Sequence, residues 1–170
     1  MNTIYKFDGA VVWLNGTSLA GEINEIELPE ISWDVIEHET IALIGTPEFA
    51  NKLEAMESTI TWASYSPDLA EAAANAFRSV NLQIRASAGQ YTANGKTGDI
   101  SLKIDLTGRF KNNQMGTFSP GEMERESVMT VDFVSEKWNN TEILAIGINP
   151  PIYRVRGRDL LEGMRRNLGG

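Results

Sequence analysis

The sequence predicts a single domain that is mainly β with one α-helix. Three observations predict it. Residues 98–111 set Ile100, Leu102, Ile104, Leu106 and Phe110 on one side and Asp99, Ser101, Lys103, Asp105, Thr107 and Arg109 on the other. That period of two is a half-buried strand. The pairs Asn15-Gly16 and Asn94-Gly95 follow alternating or apolar runs, and Asn-Gly favours the tight turn of a β-hairpin. Only residues 67–79 carry a clear helical repeat.

The run AVVWL at 10–14 leads into Asn15-Gly16 and predicts an N-terminal hairpin. Its return leads into residues 22–34, where Ile26 and Leu28 oppose Glu25 and Glu27. Pro29 has no N–H to give a ladder, so this strand belongs at an edge or a bulge. Residues 35–55 hold Ile36, Ile41, Leu43, Ile44 and Phe49 in no lasting register. They read as a long loop, with Thr46-Pro47-Glu48 able to start a short helix. So apolar a loop calls for cover, from the core or from a partner. Residues 56–63 alternate again, Ser58, Ile60 and Trp62 against Glu57, Thr59 and Thr61.

The helix has Ser66 as N-cap, Pro67 in its first position and Asp68 near its positive end. Leu69, Ala72, Ala73, Ala76 and Phe77 form its apolar stripe. Val80, Leu82, Ile84 and Ala86 then alternate with polar residues ahead of the Asn94-Gly95 turn. Residues 123–134 set Met129, Val131 and Phe133 against Val128, Thr130 and Asp132. Two shorter strands, 142–148 and 152–156, flank Pro150-Pro151, and a basic tail covers about 154–170.

Composition narrows the function. The chain has 170 residues, 42% of them hydrophobic, enough for one substantial core. It has no cysteine, which excludes disulfides, thiolate metal sites and a cysteine nucleophile and fits a reducing compartment. The lone histidine, His38, lies between Glu37 and Glu39 and reads as a surface residue. No apolar run is long enough to span a membrane, and MNTIYKFDGA lacks the basic and apolar regions of a secretory signal. The net charge of −8 argues against binding nucleic acid through a basic surface.

That charge is uneven. Residues 1–60 hold eleven acids and two bases, whereas residues 151–170 hold two acids and five bases. The carboxylate rows Glu25, Glu27, Glu30 and Glu122, Glu124, Glu126 read as solvated faces; acid–base chemistry needs carboxylates that converge in a pocket. No calcium loop, Walker A loop, dinucleotide fingerprint or nucleophile elbow is present. No enzyme, cofactor or metal site is expected.

Several segments together resemble the major tail tube protein of contractile-tailed bacteriophages, a family shared with phage-derived contractile bacteriocins. They are Val12-Trp13-Leu14-Asn15-Gly16 with Gly21, then Leu28-Pro29, the segment Ile41 to Gly45, and the helix from Pro67. Thr107-Gly108-Arg109-Phe110-Lys111 follows, then a C-terminal strand pair, Asp159-Leu160-Leu161-Glu162 and Arg165-Arg166-Asn167-Leu168-Gly169. The resemblance spans almost the whole chain and rests on order and spacing. The sequence departs from the family in 35–57 and in the acidic strand before Pro29.

The resemblance implies a tail-tube-like fold, a β-sandwich or partial barrel with one helix, whose copies form homohexameric rings, stacked into the inner tube of a contractile tail. It also implies a sheath around that tube, with baseplate and tail terminator proteins at its ends. DNA passes through without specific binding, and nothing inserts in a membrane. The place implied is the virion, after assembly in the bacterial host cytoplasm. On this reading the wall strands lie within 22–34, 55–64, 98–111 and 122–137. Lumen-facing positions are then Glu25, Glu27, Glu57, Thr59, Thr61, Asp105, Glu124 and Glu126. Subunit and ring interfaces are then Ile41, Leu43, Ile44, Phe49, Arg154, Arg156, Leu160, Leu161, Arg165 and Arg166. Acidic and basic chain ends suit a head-to-tail contact. The alternatives are the inner tube of a contractile injection system or bacteriocin, and a monomeric ligand-binding β-barrel.

Overall fold

A computed structural model describes residues 2–170. In chain order they form β1 (Ile4–Leu14), β2 (Thr17–Ser18), β3 (Ile23–Glu27), β4 (Trp33–Glu37), β5 (Glu48–Leu53) and β6 (Met56–Trp62). Helix α1 (Pro67–Ala74) precedes β7 (Val80–Thr92), β8 (Gly95–Asn113), β9 (Thr117–Ser119) and β10 (Glu122–Glu124). The chain closes with β11 (Glu126–Trp138), β12 (Thr141–Gly147), β13 (Ile152–Val155), β14 (Arg158–Asp159) and α2 (Glu162–Asn167).

The main sheet runs β14-β13-β12-β11-β8-β7-β1-β2, and β6 and β3 branch from β11. It forks because β11 changes neighbour along its length. Glu126–Val131 pairs with β6, and Phe133–Trp138 pairs with β12 on the same side. The branch brings Met56, Ile60 and Trp62 into one core with Val12, Leu14, Leu82, Leu106, Phe110 and Met129. A mainly β chain built on open sheets is what the alternation predicted.

The hairpin turns follow from local chemistry. Asn15 and Gly16 both take positive φ between β1 and β2, the geometry Asn-Gly supplies at low cost. Asn139 and Asn140 do the same between β11 and β12, and this turn was not anticipated although the residue types signal it. Gly108 in β8 is needed for another reason. A Cβ there would lie 1.9 Å from the Thr130 carbonyl oxygen of β11, so only glycine lets these two strands approach.

Four expectations are corrected. The helix ends at Ala74, five residues early. Asn75 is extended, and its Oδ1 accepts from the Phe77 N–H, turning the chain out of the helix. Leu69 and Ala73 are buried as expected, but Phe77 is fully exposed. Residues 35–55 are not a loop with a short helix: β4 and β5 form a separate hairpin with 38–47 between its strands. A register shift between Asp34 and Val35 breaks the alternation, and no core covers either face, so no period of two survives. On β11 a bulge at Asp132 shifts the register, so that Val134 rather than Phe133 is buried. The tail contains a second helix, α2, whose Leu161 cap makes no side-chain hydrogen bond; it carries no N-cap signature for sequence reading to find.

Candidate assembly interface

The first feature is open strand edges. β2 covers β1 at Trp13 and Leu14, and the Val12 carbonyl accepts from the Leu19 N–H, so the backbone of Ile4–Val11 has β7 on one side and an open edge on the other. Ile4, Tyr5 and Phe7 on this strand are exposed. At the far end of the sheet the last strand, β14, is two residues long. β3, as Pro29 implied, pairs only with β6. Such edges present unpaired N–H and C=O groups to any second strand.

The second feature is the polar face of the β3–β6–β11 branch. Register places Glu25, Thr61 and Glu126 in one row, and Glu27 beside Thr59 in the next. Glu57 lies across from Thr130 and pairs with Lys111. Six of the eight positions expected at a lumen therefore share one face. Asp105 lies farther along β8 within a mixed network, accepting from Gln83 at 2.9 Å and lying 3.8 Å from the Lys103 ammonium. Glu124 does not join them. It belongs to the β9–β10 hairpin, because Arg125 interrupts the expected strand 122–137. The buried Arg125 guanidinium lies 4.2 Å from the Trp62 ring centroid and donates to Asn113 at 3.0 Å. Nothing in the alternation pointed to that buried cation.

The third feature is the arm formed by β4 and β5. Trp33 rests against Tyr153 of β13, ring centroids 5.4 Å apart, and the Glu54 N–H donates to the Ser32 carbonyl at its root. Beyond that root, Val35, Ile36, Leu43 and Phe49 are exposed, and Ile41 and Ile44 fully so. The four interface candidates Ile41, Leu43, Ile44 and Phe49 therefore stand on one projection.

The C-terminal candidates divide. Arg154 is held by Glu142, 3.0 Å away. Arg165 pairs with Asp159 and donates to the Pro151 carbonyl at 2.9 Å, tying α2 to β14. The Arg165 guanidinium and the Leu161 N–H together hold the Asp159 carboxyl below the usual carboxylate range. These two arginines bind their own chain and are not free for a neighbour. Among the described residues, Arg156, Arg158 and Arg166 form no ion pair, and they lie near exposed Leu160, Met164 and Leu168. Leu161 is half-buried.

Among the described residues no cluster of His, Asp and Glu could hold a metal, and no helix is long and apolar enough to cross a membrane. His38 follows the last residue of β4 and lies beside Phe49, rings 6.3 Å apart. One dry groove of about 220 Å³ lies among Phe7, Ile26, Leu28, Ile84 and Leu102.

The family model described as phage tail tube protein FII matches residues 5–169. The chain belongs to that family. Two solved structures share the fold of this tail tube chain, both from an extracellular contractile injection system (PVC) in its extended state. The sheath/tube terminator structure matches with a TM-score of 0.58 at 12% identity, covering 75% of this chain and 92% of the other. The sheath–tube complex matches at 0.54 and 12% identity, covering 75% and 87%. No curated protein matches significantly. The resemblance read from the sequence is thus the family found, and the role that goes with it is structural, as part of a tail tube.

Proposed function

We propose that this chain is the building block of the inner tube of a contractile tail, closing into hexameric rings that stack into a hollow conduit for DNA. The observation that carries this is a family match over 5–169 on a chain with a long open edge along Ile4–Val11. An open apolar edge is a hazard on a monomer and an asset in a ring, where closure pairs every edge. The polar face bearing Glu25, Glu27, Glu57, Thr59, Thr61 and Glu126 lines the lumen, where excess carboxylate repels phosphate and keeps DNA from sticking. Its partners are further copies of itself, a surrounding sheath, and terminator and baseplate proteins at the ends. The protein acts by assembly and not by catalysis; it is built into the virion from the host cytoplasm. The same architecture serves a bacteriocin or injection system that carries no genome.

Negative-stain microscopy of the concentrated protein tests this. The expected result is sixfold rings and hollow rods. A monodisperse monomer at every concentration would contradict it. Saturable binding of a small apolar molecule by that monomer would favour the ligand-binding barrel instead.

A further inference from the structure

We propose that the β4–β5 arm of one copy docks, through its acidic and apolar tip, on the basic and apolar patch that the β13–β14 turn and α2 present on a neighbouring copy. This rests on the tube reading and names the two surfaces that meet.

Both surfaces are unoccupied within their own chain, and they match in kind. The arm carries Asp34, Glu37, Glu39 and Glu48 against the single base Lys52. Its tip residues Ile41 and Ile44 are fully exposed, so they touch nothing of their own chain. With five residues in β4 at ~3.3 Å each, the strand alone projects about 17 Å from the root, and 38–47 lies beyond it. The patch has the opposite sign. Arg156 takes a left-handed φ of 48° in the tight turn with Gly157, and Arg158 begins β14. Arg165 bonds to Asp159 and to Pro151 and so fixes α2 against this hairpin. That fixing sets Arg166 and the exposed Leu160, Met164 and Leu168 on one contiguous piece of structure.

Other surfaces fit the arm less well. The face with Glu25, Glu27 and Glu126 would repel it, and the dry groove offers no cation. Among the described residues, Arg156, Arg158 and Arg166 are three arginines free of ion pairs within one short stretch that also exposes Leu160, Met164 and Leu168, whereas Arg78 beside exposed Phe77 is a single unpaired cation. The apolar contacts would supply adhesion, and charge would set which surfaces meet and in what register. Because arm and patch are different surfaces, each copy gives one and receives one, so the contact propagates.

Charge exchange tests the pairing. One chain carries Glu37→Lys, Glu39→Lys and Glu48→Lys; a second carries Arg158→Glu and Arg166→Glu; a third carries all five changes. Circular dichroism should show every monomer folded as the wild type. Tube yield should fall at least tenfold for the first two and recover in the third. Wild-type yield from either of the first two overturns the proposal, as does a third chain that stays unassembled. An independent readout uses the absence of native cysteine. Tubes of a chain carrying Ile44→Cys and Leu168→Cys should give a ladder of disulfide-linked chains on oxidation, and tubes of either single variant should not extend beyond dimers. Intact tubes of the double variant with no ladder overturn the contact while leaving the tube reading in place. A wild-type chain that never polymerises overturns the tube reading and this contact with it.

Discussion

Two hairpins of this molecule begin from similar material and end differently. β7 and β8 pair over most of their length, and their apolar residues meet a core: Leu82 and Leu106 face each other, both fully buried. β4 and β5 also pair apolar residues, Ile36 with Phe49, yet both remain exposed. The first hairpin is completed by its own chain. The second is left exposed by its own chain. The difference separates the part of the protein that holds the fold from the surface proposed for assembly.

The largest way to break that contrast is at the core. Phe110→Ala removes a fully buried ring shared by both branches of the sheet and should cost about 3–5 kcal/mol, read from a urea melt of the monomer. Gly108→Ala comes next. Its Cβ would collide with the Thr130 carbonyl, an overpacking that costs about 1–3 kcal/mol and occasionally more. Ser66→Ala should cost about 0.5–2 kcal/mol, since Ser66 Oγ accepts from the Leu69 N–H at 3.3 Å and anchors α1. Ile41→Ser with Ile44→Ser should change monomer stability by no more than about 0.5 kcal/mol, and yet remove most tube formation. A comparable loss of monomer stability would mean that the arm packs on its own chain.

Legibility in the sequence follows the same division. Strands that pack on the core were readable because burial imposes the period of two, as at Ile100–Phe110 and at Ser58, Ile60 and Trp62. The arm was not, because beyond its root at Trp33 and Leu53 no part of the core lies against it to select one face over the other. The Asp132 bulge was invisible for a related reason: Val131, Phe133 and Val134 are all apolar, so hydropathy does not say which of them turns inward. That Glu25, Glu27, Glu57, Thr59, Thr61 and Glu126 share one face was legible, since strand alternation fixes it, and Glu124 escaped only because Arg125 turns inward over Trp62. Net charge at the C-terminus misled. Composition counts five arginines equally, whereas two of them spend their charge on Glu142 and Asp159.

The smallest expected effect sharpens that last distinction. Asp159 is held below its ordinary value by Arg165 and the Leu161 N–H, so the interaction favours the ionised, folded form. Its contribution is present above the unfolded carboxylate value of about 3.9 and is lost as pH falls through the lower folded value. An NMR titration of the Leu161 amide should show α2 docked through neutral and mildly acidic pH and loosening only in stronger acid. Asp159→Asn should abolish that transition and leave the core signals unchanged.

Hydrogen exchange, compared between free subunit and assembled tube, tests most directly whether neighbours complete what the chain leaves open. Amides of Met129–Val131, locked between β6 and β8, should be protected in both states. Amides of residues 38–49 should exchange rapidly in the free subunit and become protected in the tube. Equal exchange of 38–49 in both states would show that the arm is not an assembly surface, and would contradict the account.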